Sequence, residues 1–181
     1  MPNGYGKLIA PDTLHIERTL PGPIERVWRY LTEADLRKQW LAAGPMELEI
    51  DGNVTLIFHN NSLTPHEDLP PEKYADYGEE HVIKGTITAC DPPFLLSYTW
   101  PMGENELSEV CFQLAEKGEK VQLQITHSRL TQADQKLSVA GGWHTHLEIL
   151  LAQLESRTPP PFWSTHAKLE AEYVRQFDMA E

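Results

Sequence analysis

Two histidines and a tryptophan stand at the start of the apolar segment GGWHTHLEILLAQLE, residues 141 to 155. Histidine is a common metal ligand and general base, so His144 and His146 are the first residues to test for chemistry. On a helix, residues two apart diverge by about 200°, whereas metal-binding pairs stand three or four apart. The spacing excludes one ion held by both side chains, and we predict no metal site.

The same segment predicts a buried helix over residues 141 to 156. Its apolar side chains fall within an arc of about 100°, which is the pattern of a helix that packs on a core. The two histidines flank that arc on opposite edges. Partly buried, hydrogen-bonded histidines are more common than catalytic ones, so we interpret both as structural. The apolar arc consists of Trp143, Leu147, Leu150, Leu151 and Leu154.

Two further histidines fall in phase with the apolar residues of predicted strands. His81 alternates with Ile83, and His127 alternates with Ile125. Because side chains two apart on a strand share a face, both histidines are expected to point inward from strand ends. Either one could give an internal cavity a polar group.

Recognised catalytic patterns do not occur in this sequence. It contains no nucleophile elbow, no glycine-rich phosphate-binding loop and no H-E-x-x-H helix. Aspartate and glutamate are abundant, but in so acidic a chain they are typical of a solvated surface. We therefore predict no catalytic residue and no cofactor.

Composition limits the classes of partner. A chain of 181 residues fits one domain, and its formal net charge of −12 disfavours binding to nucleic acid or to an anionic membrane. No apolar run approaches the roughly 20 residues that span a bilayer, and the N-terminus lacks a signal-peptide pattern. With only Cys90 and Cys111, which we expect to stay reduced, a cytoplasmic location is predicted.

The order of the predicted elements indicates an α+β fold. A strand over residues 13 to 20 precedes a short helix from Pro23, and a second short helix follows Thr32, which resembles a capping-box residue with Asp35. From Met46 the apolar period is two, which predicts an antiparallel meander. Six strands and the long helix complete the pattern. Residues 163 to 177 form a further apolar segment.

Three ordered segments carry a family resemblance: IERTLPGPIERVWRYLTEADLRKQW, GTITACDPPFLLSYTW and GGWHTHLEILLAQLE. They resemble the AHSA-type family, the activator of heat-shock-chaperone ATPase homologues, in the START-like SRPBCC superfamily. The resemblance covers residues 13 to 156. Residues 1 to 12 are then an N-terminal extension, and residues 157 to 181 are a C-terminal extension that we expect to form an extra helix on the sheet edge or at a dimer contact.

The resemblance implies the helix-grip fold, in which a curved antiparallel sheet wraps a long C-terminal helix and leaves a cavity. In that family Gly142 and Trp143 are a packing motif, where glycine allows close approach. The residues expected around the cavity are Trp40, Phe58, His81, Tyr98, Trp100, Phe112, His127, Trp143 and Leu147.

Three functions remain open at this point. The first is binding of a hydrophobic small molecule in the cavity, and each expected cavity residue has plain core packing as its alternative. The second, implied by the resemblance, is a co-chaperone or other protein-interaction module that activates a heat-shock chaperone ATPase in the stress response. The third is a cyclase-like or hydrolase-like enzyme, for which His127 and His81 would be the first candidates.

A long polar connection over residues 60 to 78 interrupts the meander. It contains few large apolar residues and two prolines, so we expect it to bury little surface and to be mobile. If it lies near a cavity mouth, Leu63, Leu69, Tyr74 and Tyr77 could rest over the cavity as a gate. The alternative is an ordinary solvent-exposed insertion.

Overall fold

The computed structural model describes residues 4–178. They form one seven-stranded antiparallel sheet with the order β1-β2-β7-β6-β5-β4-β3. Two short and two longer helices accompany the sheet, and the long helix α3 packs on it, which is the predicted helix-grip arrangement. The strands are β1 (Lys7–Ala10), β2 (Thr13–Pro21), β3 (Asn53–His59), β4 (Glu80–Asp91), β5 (Leu95–Gly103), β6 (Glu106–Lys117) and β7 (Lys120–Ser128).

The sheet confirms the predicted antiparallel meander, with five strands after Met46 where six were predicted and one additional strand before residue 13. Strands β3 to β7 pair with their sequence neighbours, while β2 closes the other end by pairing with β7. The additional strand is β1, which lies inside the segment that the sequence treats as an extension and pairs with the start of β2 through Lys7 and Leu8. Four residues with little alternation are too short a pattern to predict. Cys90 and Cys111 are free, as predicted.

The helices are α1 (Ile24–Thr32), α2 (Ala34–Arg37), α3 (Ala133–Leu154) and α4 (Phe162–Gln176). The predicted short helix at Pro23 is confirmed as α1, with Pro23 at its N-cap, but the predicted capping box before α2 is wrong. The Thr32 hydroxyl donates back to the Trp28 carbonyl at 2.9 Å within α1, so it does not cap the next helix. Glu33 occupies the N-cap position instead.

Helix α3 begins at Ala133, eight residues before the predicted start at residue 141. Its first turn, residues 133 to 136, is polar, and the apolar residues begin only at Leu137. The Gln135 side-chain carbonyl accepts the backbone N–H groups of Thr131 and Gln132 at 3.1 and 3.2 Å. These bonds satisfy donors that a helix start otherwise leaves free. The apolar arc over residues 143 to 154 packs on the sheet, while α4 packs on α3.

The segment after α2 is held by a buried arginine. Arg37 is fully buried, and its guanidinium donates to the carbonyls of Thr32 at 3.0 Å, of Ala42 at 3.1 Å and of Gly44. These bonds compensate the removal of the charge from water. They also fix the turn that carries Trp40, whose indole N–H donates to the Tyr30 carbonyl at 2.8 Å.

Within residues 4–178, none of the helices combines the length and the apolar character that a bilayer crossing requires.

Candidate functional site

A pocket of about 450 Å³ lies between the β3–β5 end of the sheet, helices α3 and α4, and the connection over residues 60 to 78. None of the described residues that line it is aspartate, glutamate, lysine or arginine. Seven lining residues are phenylalanine, tyrosine or tryptophan, and four are histidine. The pocket is therefore mainly aromatic, with imidazole rings as its principal polar groups.

The aromatic walls come from the sheet and from both helices. Trp100 of β5 packs edge-on against Phe58 of β3 and Trp143 of α3, with ring centroids 5.9 and 5.3 Å apart. On the opposite side, Phe162 and Trp163 of α4 pack edge to face at 4.7 Å. Rings in mutual contact hold one another in place, so these walls are preformed.

Five predicted cavity residues line this pocket: Phe58, His81, Trp100, His127 and Trp143. The other four predicted cavity residues do not line it. Trp40, Tyr98, Phe112 and Leu147 are 1 % exposed or less and belong to the solid core. They lie on the same inward faces as the residues that line the pocket. A period of two or 3.6 shows which face is internal, but it does not show where along that face the packing leaves a space.

Of the four predicted lid residues, two line the pocket and two do not. Tyr74 and Tyr77 line the pocket. Leu63 packs against the core instead, and Leu69 is 82 % exposed, so neither contributes to the pocket wall. Whether the two tyrosines act as a gate stays a prediction.

The connection over residues 60 to 78 exposes most of its side chains but is attached to helix α4 by hydrogen bonds, and its mobility stays a prediction. The Trp163 indole N–H donates to Asn61 Oδ1 at 2.7 Å, and the Ser164 backbone N–H donates to Asp68 Oδ2 at 2.9 Å. Further along, Glu170 accepts hydrogen bonds from the Tyr74 hydroxyl and, at 2.8 Å, from Lys73 Nζ. The sequence could not show this, because the partners lie about 100 residues apart.

His127 is fully buried and both of its ring nitrogens have partners. Nδ1 accepts the Trp143 indole N–H at 3.0 Å, so Nε2 carries the proton and donates it to Ser108 Oγ at 2.7 Å. The Ser108 hydroxyl in turn donates to the Trp100 carbonyl at 2.7 Å. Burial lowers the pKa of His127 to about 3. With no free nitrogen, His127 holds Trp143 and Trp100 in place rather than acting as an acid or base.

His144 faces away from the pocket toward α4. The Tyr173 hydroxyl accepts the Gly6 backbone N–H at 2.7 Å and also forms a hydrogen bond with His144 Nδ1 at 2.9 Å. Burial, reinforced by the nearby Arg18, lowers the pKa of His144 to about 3. These contacts join α3, α4 and the N-terminal residues, in agreement with the structural interpretation of His144.

His146 is also buried, at 6 % exposure, but its ring lines the pocket. Nδ1 hydrogen-bonds to the Trp40 carbonyl at 2.7 Å. Nε2 makes no hydrogen bond with any residue in the range 4–178 and is left open to the pocket. The sequence does not predict His146 as a site residue, because a position at the edge of the apolar arc does not show which neighbouring element the side chain will contact.

Helix α4 contributes pocket residues that the sequence analysis also missed, namely Phe162, Trp163 and His166. His166 Nδ1 is buried without a hydrogen-bond partner among the described residues, and the nearest Glu170 carboxylate oxygen is 3.7 Å away. Burial lowers the pKa of His166. The only available signal was the aromatic pair FW directly after TPPP, in a segment interpreted as an extension.

His81 completes the set of pocket histidines. Its ring packs edge-on against Tyr77 at 4.8 Å, and burial lowers the pKa of its imidazole. Although four histidines line the pocket, residues 4–178 contain no group of three or more histidine, cysteine, aspartate or glutamate side chains placed to hold a metal ion.

Gly142 has an unexpected role, because it opens the pocket instead of allowing close packing. A Cβ built on Gly142 would meet no atom within 4 Å, and the residue lines the pocket. Its neighbour Gly141 is the one that permits close approach, since a Cβ there would lie 3.3 Å from His166 Nε2. The expected packing function therefore belongs to Gly141, and Gly142 leaves space.

Comparison with known proteins supplies the family. The family model described as "Activator of Hsp90 ATPase homolog 1-like protein" matches residues 21–155. The solution structure of the protein encoded by gene BPP1335 of Bordetella parapertussis is 41% identical, covers 97% of this chain and 91% of that chain, and superposes with a TM-score of 0.81. No curated protein matches the chain significantly.

Two more distant solved structures share the fold. CalU16 of Micromonospora echinospora is 19% identical, with a TM-score of 0.64 over 94% of this chain and 93% of that one. EF2215 of Enterococcus faecalis, described as a conserved protein of unknown function, is 21% identical, with a TM-score of 0.68 over 99% and 92% of the two chains. On the match over residues 21–155, the chain belongs to the Activator of Hsp90 ATPase homolog 1-like family.

Proposed function

We propose that this protein binds a neutral, predominantly aromatic small molecule in the pocket between the sheet, α3 and α4. The observation that carries the proposal is the lining itself, in which the described residues that surround about 450 Å³ include seven aromatic residues and no aspartate, glutamate, lysine or arginine. Pockets for small molecules range from about 300 to 1,000 Å³ and are mostly apolar with a few oriented polar groups.

The absence of carboxylate, ammonium and guanidinium groups from this lining favours a ligand without net charge. A charged ligand would lose its hydration on entry and find no opposite charge to compensate, which is costly in an apolar environment. Flat aromatic rings, by contrast, can stack on or pack edge-on against Trp100, Trp143 and Phe162. The ligand class that fits is therefore a neutral aromatic molecule of two or three rings.

Mass spectrometry under native conditions tests this proposal on the purified chain. We expect a small molecule to be retained by the wild type and lost from Gly142→Leu, which extends a side chain into the open space of the pocket. Ala133→Leu, on the exposed first turn of the same helix, is the matched control and should retain the molecule. Retention of the same molecule by Gly142→Leu would contradict binding in this pocket.

Activation of a chaperone ATPase is the second candidate, and the family description alone favours it. The measurement is the steady-state ATPase rate of the heat-shock chaperone with and without this protein. If the Gly142→Leu variant still increases the ATPase rate of the chaperone, activation would be assigned to the surface of the domain. An unchanged rate would remove this candidate.

The cytoplasm is the compartment in which we place this function, because both cysteines are free thiols, as is usual in a reducing compartment. Neither nucleic acid nor membrane lipid is part of the proposal, since a chain of net charge −12 repels polyanions.

A further inference from the structure

His146 stands in the pocket wall with one ring nitrogen used by the protein and one left over. The residue is 6 % exposed, and its ring is packed between two aromatic residues, Phe162 with a centroid distance of 5.1 Å and Phe58 at 6.2 Å. These contacts come from two different elements, α4 and β3. The imidazole is therefore held in one orientation before any ligand arrives.

The hydrogen bond to the backbone fixes where the proton lies. The Trp40 carbonyl can only accept, so Nδ1 of His146, 2.7 Å away, must carry the proton. Trp40 is itself immobilised by burial and by its indole bond to Tyr30. In a neutral ring with Nδ1 protonated, Nε2 has a free lone pair and acts as an acceptor.

The ring is neutral at ordinary pH. Burial lowers the pKa of His146 to about 4, with a smaller effect in the same direction from His166, while the bond to the Trp40 backbone opposes both. No acidic side chain lines the pocket among the described residues to favour the imidazolium form. Nε2 is thus an acceptor that faces an aromatic pocket without a protein donor among the described residues, and acceptors removed from bulk water normally have a donor as partner.

We propose that His146 Nε2 accepts a hydrogen bond from a hydroxyl or amine group of the ligand, so that the ligand is a phenol-like or arylamine-like molecule. This inference rests on the proposed function, since it specifies the chemistry of the molecule in the same pocket. It also assigns to His146 the selection of ligands that carry a donor over those of equal shape that do not.

The same acceptor is too weak to remove the proton from such a ligand. A phenol has a pKa near 10, well above the lowered pKa of His146, so the proton stays on the ligand hydroxyl in the complex. In this proposal His146 is a binding group. This separates the inference from a catalytic function for the pocket.

A matched pair of probes tests the inference by calorimetry. 2-Naphthol carries a hydroxyl donor, and 2-methoxynaphthalene has the same rings without one. We expect the wild type to bind 2-naphthol about three- to tenfold more tightly, which is the range of one net hydrogen bond. In His146→Asn, whose amide N–H can still reach the Trp40 carbonyl, the ratio should fall to about one. His146→Phe should give the same ratio, and the control His15→Asn, on the outer side of the sheet, should keep the wild-type ratio.

A spectroscopic measurement on the wild type does not depend on any variant folding. In long-range 1H–15N spectra, His146 should show the tautomer protonated at Nδ1, and the Nε2 resonance should move with 2-naphthol much more than with 2-methoxynaphthalene.

The outcomes separate the inference from the proposed function. Equal affinity of the two probes for the wild type, or a preference that persists in both His146 variants, would overturn the inference and leave the proposed function standing. Failure of both probes to bind would overturn both.

Discussion

His127, His144 and His146 show how neighbours decide the use of chemically identical side chains. His127 has both nitrogens occupied by Ser108 and Trp143, and His144 is bonded to Tyr173. His146 has one nitrogen bonded to the backbone and one open to the pocket. The free lone pair, not the residue type or its burial, makes His146 the binding group.

Replacing His127 should affect stability through the aromatic wall that it supports. His127→Phe removes the acceptor of the Trp143 indole N–H and leaves that donor buried, which costs about 2–4 kcal/mol when the second lost bond to Ser108 is included. Urea unfolding measures this as a lower midpoint with an unchanged slope. His15→Phe, at a part-buried surface site, should cost about 0.5 kcal/mol. Equal losses in the two variants would contradict the account.

The buried histidines also predict acid sensitivity. The pKa values of His127 and His144 are lowered to about 3 and that of His146 to about 4, whereas each is 6.5 when unfolded. Above pH 6.5 these histidines are neutral in both the native and the unfolded state, so they add no pH dependence to the free energy of unfolding. Below it the unfolded chain binds protons that the native state does not, so the free energy of unfolding falls by about 1.4 kcal/mol per pH unit for each histidine.

Urea unfolding at pH 7.5, 6.5 and 5.5 measures this effect. The interval between pH 6.5 and 5.5 lies above the titration range of Glu17 and Glu170, whose pKa values are lowered by partners that include His15 and Lys73. A free energy of unfolding that stays constant over that interval would show that these histidines titrate alike in the native and unfolded states, which would contradict the lowered pKa values.

For single residues, the sequence predicts which way a side chain points but not which group it bonds to. The alternation that places His127 inward is correct, and His144 and His146 face different neighbours, Tyr173 and Trp40. Which nitrogen remains free depends on a carbonyl 106 residues away in the case of His146. No local pattern contains that information.

Among the elements, helix α4 and the connection over residues 60 to 78 complete the pocket together. Their shared centre is Glu170, which binds both Tyr74 and Lys73, and the Tyr74 ring stacks on Trp163 at 5.9 Å. Burial and the bond to Glu170 raise the pKa of Tyr74 to about 12, so it remains a donor to that carboxylate. The connection therefore forms a wall of the pocket, and its action as a gate stays a prediction.

Breaking this centre should loosen the connection. In Glu170→Ala, amide hydrogen exchange over residues 72 to 77 should accelerate, because the hydrogen bonds of Lys73 and Tyr74 to Glu170 are lost. Glu172→Ala is the control, since that side chain pairs only with Arg175 on its own helix. Identical exchange in the two variants would show that the links do not hold the connection. If Tyr74 and Tyr77 act as a gate, 2-naphthol should further protect this segment in the wild type.

Gly142 makes helix α3 less stable but leaves open space in the pocket. Glycine inside a helix is less stable than alanine by about 0.5–1 kcal/mol, and an added methyl group there meets no other atom. Gly142→Ala should therefore raise the free energy of unfolding by that amount, as measured by urea denaturation. A loss of stability would mean that Gly142 faces packed structure rather than the pocket.

Across the whole molecule, the sequence predicts the sheet, α1 and the long helix because each has a clear apolar period and a family pattern. It does not predict the pocket wall formed by α4. Residues 162 to 176 have a helical period, but nothing in that period shows that they pack on α3 at Gly141. The boundary at residue 156 stays a prediction about the family domain, while the structure makes α4 part of the same pocket.

The central claim is that the space in front of Gly142 is a binding site for a neutral aromatic molecule. Fluorescence titration with the neutral probe N-phenyl-1-naphthylamine tests it most directly, with wild type, Gly142→Leu and Ala133→Leu compared at equal concentration. The account predicts saturable binding of one probe per chain to the wild type and to Ala133→Leu, and at least tenfold weaker binding to a folded Gly142→Leu. Equal binding to all three proteins would contradict it.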